Sequence, residues 1–156
     1  MTRYSFQIVD VFGAGAFSGN PLAVVTTPEE LDHDTMLRVT RWLNFSETTF
    51  LLPPTDKGAD YRVRIFTPAR ELPFAGHPTL GTCHAWLAAG GTPRNANEVV
   101  QQCGAGLVRV RRTGSALAFA APPTIRSGQV EEDKLDEIAA VLRISRDAIV
   151  ASRWVD

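Results

Sequence analysis

The sequence predicts an α+β domain in which a curled sheet wraps one buried helix. Three observations lead there. Residues 78–89 read P-T-L-G-T-C-H-A-W-L-A-A without an Asp, Glu, Lys or Arg, so a helix there has no face suited to water. Most other segments alternate, or are rich in Val, Ile, Phe and Tyr, as strands are. A helix that is apolar all round has to be covered on all sides, and a sheet curled about it does so within one domain.

Composition agrees. At 156 residues the chain fits one ordinary domain with room for a core, and 44% hydrophobic with 21% charged residues reads as globular and soluble. Sixteen Lys and Arg against 17 Asp and Glu leave no global field for nucleic acid or an anionic membrane. Residues 1–12 have polar or charged residues spaced throughout and lack the apolar centre of a signal peptide. No run approaches the ~20 apolar residues of a membrane span. A cytoplasmic location is expected. Cys83 and Cys103 are too few for a disulfide framework.

Residues 4–12 alternate as a strand. Residues 13–21, G-A-G-A-F-S-G-N-P, tempt a nucleotide-binding reading. The spacing is G-x-G-x-x-x-G, one residue too long, and the strand-like P-L-A-V-V follows where a helix would be needed. A loop bending over the site is preferred, with Asn20 offering its amide either to that site or to a local turn. Thr27, Pro28 and Glu30 read as cap, first position and capping box of a helix. Met36, Val39 and Leu43 share its apolar stripe, Trp42 widens it, and Asn44 ends it.

Residues 45–52 return as a strand carrying Glu47, stopped by Pro53 and Pro54. In residues 61–67, Tyr61, Val63 and Ile65 share one face, and Arg62 and Arg64 share the other, expected to be solvated. Pro78 fits the first position of the apolar helix, which leaves Gly76 and His77 at its mouth. Gly81 permits close approach of another backbone, and Gly90 and Gly91 end the helix. Strands over 98–102, 107–112 and 116–121 follow, with Arg109, Arg111 and Arg112 as a small exposed basic spot. Residues 131–142 form an amphipathic helix through Leu135, Ile138, Ala139 and Leu142. Ser145 suits the cap of a short turn, and 149–155 begins another strand.

The chemistry concentrates between residues 44 and 81. Glu47 lies between Ser46 and Thr48 and before F-L-L, where partial desolvation suits a carboxylate that takes up and releases protons near neutrality. A helix mouth exposes unpaired N–H groups and suits an anion. The residues alone leave two readings open: an acid–base site beside an anion pocket, or a surface glutamate with His77 as a turn residue. His84 is seven residues beyond His77, about 10 Å along a helix, so the two do not share a metal directly. His33 is expected to face solvent, and no metal site is proposed.

The stretches S-E-T-T-F-L-L-P, R-I-F-T-P and E-L-P-F-A-G-H-P-T-L-G-T resemble the phenazine-biosynthesis PhzF-type isomerases. These are relatives of diaminopimelate epimerase and proline racemase. The resemblance begins at Asp10-Val11-Phe12 and Gly19-Asn20-Pro21-Leu22-Ala23-Val24-Val25 and continues to the end of the chain. It implies a diaminopimelate epimerase-like fold, a mixed barrel around a central helix at about 77–89. It implies Glu47 as the acid–base residue, with Asn20, Gly76, His77 and Pro78 binding substrate. The substrate it implies is a small cyclic carboxylic acid; the best-known member isomerises a dihydro-hydroxyanthranilate. No redox cofactor or metal is implied. In the thiol-dependent racemases a catalytic cysteine precedes this helix; here Ala75 stands there, so Cys83 and Cys103 read as packing residues.

Family members continue through a second, similar half that supplies an aspartate and a G-S-A-type anion loop. Residues 1–156 are therefore expected to be a single PhzF-like N-terminal domain, with the second domain absent and one wall of the cleft missing. A second copy in a homodimer, or a separate second-half protein, would supply it. The alternative is a non-catalytic half, truncated or degenerate, that acts as a binding or assembly module.

Overall fold

The computed structural model describes residues 3–114, 116–120, 124 and 126–155. The chain forms two compact units, Met1–Ala120 and Ala121–Asp156.

In the first unit the elements run β1 (Ser5–Val11), β2 (Asn20–Thr26), α1 (His33–Leu43), β3 (Thr48–Leu52), β4 (Tyr61–Phe66), β5 (Glu71–Leu72), α2 (Gly76–Ala88), β6 (Glu98–Cys103), β7 (Gly106–Thr113) and β8 (Ala116–Phe119). All eight strands belong to one sheet, ordered β1-β2-β3-β4-β6-β7-β8. β5 pairs with β4 beside Ile65 and Phe66, while β6 pairs with β4 beside Tyr61 and Arg62. The sheet is mixed: β2–β3 and β4–β6 are parallel, and the other pairs are antiparallel. It curls into a half-barrel around α2, which packs on β1, β2, β3, β6 and β8. Between the edges β1 and β8 a groove of about 290 Å³ remains over Leu80, Gly81 and His84.

Period-two alternation sorts the side chains onto two faces. Leu22, Val24, Leu51, Tyr61, Val63 and Ile65 turn inward onto Cys83 and Ala85 of α2. Val25, Phe50, Leu52 and Phe66 turn outward and pack with Met36 of α1. The middle of the sheet is thus sandwiched between two helices, which is why every residue of β3 is buried. The outer Phe50 and Phe66 rings meet edge to face at 5.6 Å. Gly81 does what its lack of a side chain permits. A Cβ there would stand 2.6 Å from Leu22 Cδ2 and 2.8 Å from Val11 Cγ2.

Four local expectations are corrected. The first helix starts at His33, not after Thr27. Asp32 is its cap, accepting the Thr35 N–H at 2.8 Å, while the buried Thr27 N–H is drawn to the Leu51 carbonyl. Glu30 is no capping box; it pairs with Arg62 and Arg64. Trp42 is 83% exposed and widens no core face. Arg64 also grips Glu71 through two nitrogens at 2.7 and 2.6 Å, and those bonds hold the Glu71 carboxyl below its ordinary range. The arginine face of β4 is therefore an ion-pair network rather than a solvated face.

α2 ends as expected. Gly90 takes a left-handed φ of 92°, its N–H reaching Leu87 O and the Gly91 N–H reaching Trp86 O. Asn44 closes α1 in the same left-handed region, at φ 57°.

The second unit holds β9 (Ser127–Gly128), α3 (Glu132–Leu142), a 3-10 turn at Arg146–Ala148 and β10 (Trp154–Val155). β9 and β10 pair antiparallel, so the strand expected over 149–155 shrinks to its last two described residues. The Arg126 guanidinium lies 3.8 Å over the Trp154 ring, and Trp154 Nε1 donates to Glu131. Leu135 and Ala139 are buried, but Leu142 is 61% exposed. The strand expected to reach 121 ends at Phe119, and position 121 lies outside the described residues. Among the described residues no helix is long and apolar enough to cross a membrane.

Candidate active site

The starts of β2, β3 and α2 bring three sequence-distant residues together. Asn20 opens β2, Glu47 immediately precedes β3, and His77 is the second residue of α2. Glu47 is thus held just outside its strand, between the left-handed Asn44 and the first paired residue, Thr48. Its Oε2 approaches His77 Nε2 at 3.4 Å, the side chains being 17% and 11% exposed. Both atoms are shielded from solvent and neither has a hydrogen-bond partner among the described residues. Two buried polar atoms left unpaired in one place are an unsatisfied demand that a polar ligand can meet.

A polar chain orients the histidine. Ser46 Oγ lies 3.2 Å from Asn20 Oδ1, and Asn20 Nδ2 lies 3.4 Å from His77 Nδ1. With Ser46 donating to Asn20 and Asn20 donating to Nδ1, the imidazole proton sits on Nε2, facing the Glu47 carboxylate. The reverse tautomer would set a lone pair against an ionised carboxylate. Burial lowers the His77 pKa and Glu47 partly opposes it, so the ring is held toward its neutral form.

Gly76 and His77 give the helix mouth two backbone N–H groups without an acceptor among the described residues. Pro78 is the third helical residue rather than the first, still within the turn where a missing N–H breaks no bond. It is buried and brings no polar group to the mouth. Phe119 completes the wall: a Cβ on Gly76 would lie 3.1 Å from its Cζ, and its ring meets Phe74 edge to face at 5.5 Å. Nothing in the residues around 119 signalled that role, because β8 reaches Gly76 only through the curl of the sheet.

The glycine loop before Asn20 is tied to β1. Asp10 accepts the Gly19 N–H at 2.8 Å and the Ser18 N–H at 3.2 Å, so its carboxylate occupies the donors an anion would want. His84 faces the separate groove between β1 and β8. His33, half exposed, lies 3.3 Å from Glu71 in the arginine network. Among the described residues no group of His, Cys, Asp or Glu is placed to hold a metal. Burial pushes the Cys83 thiol up to about 11 and raises Cys103 as well, which disfavours both thiolates at neutral pH.

Comparison with known proteins identifies the family and the fold. The family model described as phenazine biosynthesis-like protein matches residues 9–153. The chain belongs to that family. An uncharacterized isomerase of Pasteurella multocida is 33% identical over 156 residues, covering 100% of this chain and 53% of that protein. The trans-2,3-dihydro-3-hydroxyanthranilate isomerase of Pseudomonas aeruginosa is 46% identical over 82 residues, 53% of this chain and 29% of that enzyme. Among solved structures, a predicted epimerase from Pseudomonas aeruginosa aligns with a TM-score of 0.78 and 30% identity, over 96% of this chain and 53% of its own. A hydroxyproline epimerase from Agrobacterium vitis, with trans-4-hydroxy-L-proline bound, shares the fold alone, at a TM-score of 0.54 and 19% identity over 81% of this chain and 46% of its own. The chain spans about half the length of the Pasteurella multocida isomerase and of the Pseudomonas aeruginosa predicted epimerase.

Proposed function

We propose that this chain is the N-terminal domain of a phenazine biosynthesis-like isomerase or epimerase that moves a proton within a small cyclic carboxylic acid. The observation that carries it is the unpaired Glu47 Oε2, buried 3.4 Å from His77 Nε2 beside the mouth of α2. The substrate carboxylate lies against the free Gly76 and His77 N–H groups, where the positive end of the helix favours it. Glu47 takes a proton from an acidified ring carbon and returns it to another carbon or the other face. The C–H electron pair stays in the substrate, so the step balances without an oxidant or reductant. His77 Nε2–H faces Glu47 and donates to a substrate oxygen as negative charge develops there.

Asn20 holds the ring in that orientation through Nδ1, and Pro78 shapes the turn. The facing wall of the cleft lies outside residues 1–156 and is supplied by a second-half segment or by a second copy of this domain. A second reading is a non-catalytic half that serves binding or assembly.

Deuterium exchange separates the two. The chain, alone and with a second-half relative, is incubated with trans-2,3-dihydro-3-hydroxyanthranilate in D₂O and followed by mass spectrometry. Deuterium incorporation that disappears in Glu47→Gln is the expected result. Incorporation unaffected by Glu47→Gln rejects Glu47 as the acid–base residue, and none with either preparation leaves the assembly module.

A further inference from the structure

The core beneath the helix mouth contains a polar chain that packing does not require. Tyr61, Gln101 and Thr79 are 1%, 0% and 0% exposed, among Val, Leu and Ile side chains. The Tyr61 hydroxyl donates to Gln101 Oε1 at 3.0 Å, Gln101 Nε2 donates to Thr79 Oγ1 at 3.0 Å, and Thr79 Oγ1 donates to the Ala75 carbonyl at 2.9 Å. Three elements, β4, β6 and α2, are joined in one line. Polar groups at such depth cost free energy unless every partner is in place, so the line is either fully made or a liability.

In the structure the line runs one way, from Tyr61 through Gln101 and Thr79 to Ala75. A threonine hydroxyl has one proton. Because Gln101 supplies an N–H to Thr79 Oγ1, that proton is free for Ala75. Gln101 presents its nitrogen to Thr79 only while its oxygen faces the Tyr61 hydroxyl. The far end of the line therefore decides what the near end can do.

The near end is the site. Ala75 is the residue before α2, with an extended backbone at φ −154° and no side chain able to cap the helix. Its carbonyl accepts the Thr79 N–H at 3.1 Å in addition to the Thr79 hydroxyl. The next two residues are Gly76 and His77.

We propose that Tyr61, Gln101 and Thr79 are positioning residues: a buried one-way relay that locks the first turn of α2 and so aims His77 and the two free N–H groups at the cleft. The proposal rests on the functional reading above only in taking that turn as the carboxylate-binding wall.

The test reads the His77 ring by NMR titration in the intact chain with no ligand present. Glu47 and Asn20, which face the ring, are the same in every variant. Thr79→Val keeps the side-chain shape and removes the hydroxyl. The loosened turn admits water to a ring whose pKa burial holds down, so the midpoint rises toward the ordinary imidazole value. Thr79→Ser restores the hydroxyl and the wild-type midpoint. Tyr61→Phe frees the Gln101 amide to turn over, which draws the Thr79 proton away from Ala75 and shifts the midpoint the same way.

Unchanged midpoints in folded Thr79→Val and Tyr61→Phe overturn the relay, as does a Thr79→Ser variant that behaves like Val. If Thr79→Val does not fold, Tyr61→Phe decides alone. Benzoate serves as a ring carboxylate probe, and its affinity is expected to fall about three- to tenfold in Thr79→Val, the worth of one ordinary hydrogen bond. Benzoate that fails to bind the wild-type chain overturns the carboxylate site, while the ligand-free titration still judges the relay.

Discussion

Gly81→Ala tests how tightly α2 is wrapped, because two effects of known size oppose one another there. In an open helix the change stabilises by about 1 kcal/mol, since alanine is the better helix former. Here the new methyl would meet Leu22 Cδ2 at 2.6 Å and Val11 Cγ2 at 2.8 Å. Carbon contacts are comfortable only from ~3.5 Å, so those side chains would have to retreat by roughly 0.7–0.9 Å. Leu22 is 0% exposed and held on all sides by the core, while Val11, 6% exposed, has only the groove over Gly81 to retreat into. Overpacking of this kind costs about 1–3 kcal/mol, so the net effect is a loss of roughly 0–2 kcal/mol. Adding Leu22→Ala opens space for the methyl. Leu22→Ala alone costs about 2–5 kcal/mol, and the double variant should cost at least ~0.5 kcal/mol less than the sum of the singles. Urea unfolding of the four proteins supplies the cycle. A Gly81→Ala protein stabilised by the full propensity gain, with additive double-variant behaviour, would show that α2 does not touch β1 and β2 this closely.

Four further outcomes follow from the site, the core and the caps. His77 takes up its proton at a lower pH in the folded chain than in the unfolded one, so the unfolded chain holds more protons below the ordinary value of 6.5. Its contribution to stability is complete above that value and is lost as pH falls toward the folded midpoint. Glu47→Gln removes the charge that partly restores the ring's basicity and should lower the His77 NMR midpoint further; a rise would refute the pairing. Cys83 titrates near 11 when folded against an ordinary 9.0, so its contribution is lost as pH rises through that window. In the native chain at neutral pH it should resist iodoacetamide, and rapid labelling would contradict its burial. Arg143 ends α3 in a left-handed conformation at φ 55°. Arg143→Gly should therefore raise the denaturation midpoint, by up to about 1 kcal/mol of stability.

Much of the fold was legible because its signals are local. A charge-free helix between strands implied a wrapped helix, and Gly90-Gly91 implied its end. The first helix was misplaced because Thr27-Pro28-x-Glu30 satisfies a capping pattern as well as Asp32-x-x-Thr35 does. Only the sheet, by pairing the Thr27 N–H with Leu51, decides between them. Trp42 was assigned to the core because it sits beside the apolar stripe; the structure leaves it in solvent, and α1 meets the sheet through Met36.

The sequence by itself determined the family and offered the candidate residues: a glutamate in S-E-T and a histidine before a proline at a helix start. Those are properties of residue type and near neighbours. Tertiary structure alone decided that Asn20, Glu47 and His77 meet, since 57 residues separate the first from the last and only the parallel pairing of β2 with β3 brings their starts to the mouth of α2. It alone decided that Tyr61, Gln101 and Thr79 form one line beneath that mouth. Each of them reads locally as an ordinary strand or helix residue, and a hydrogen-bonded line across three elements exists only once the sheet has curled.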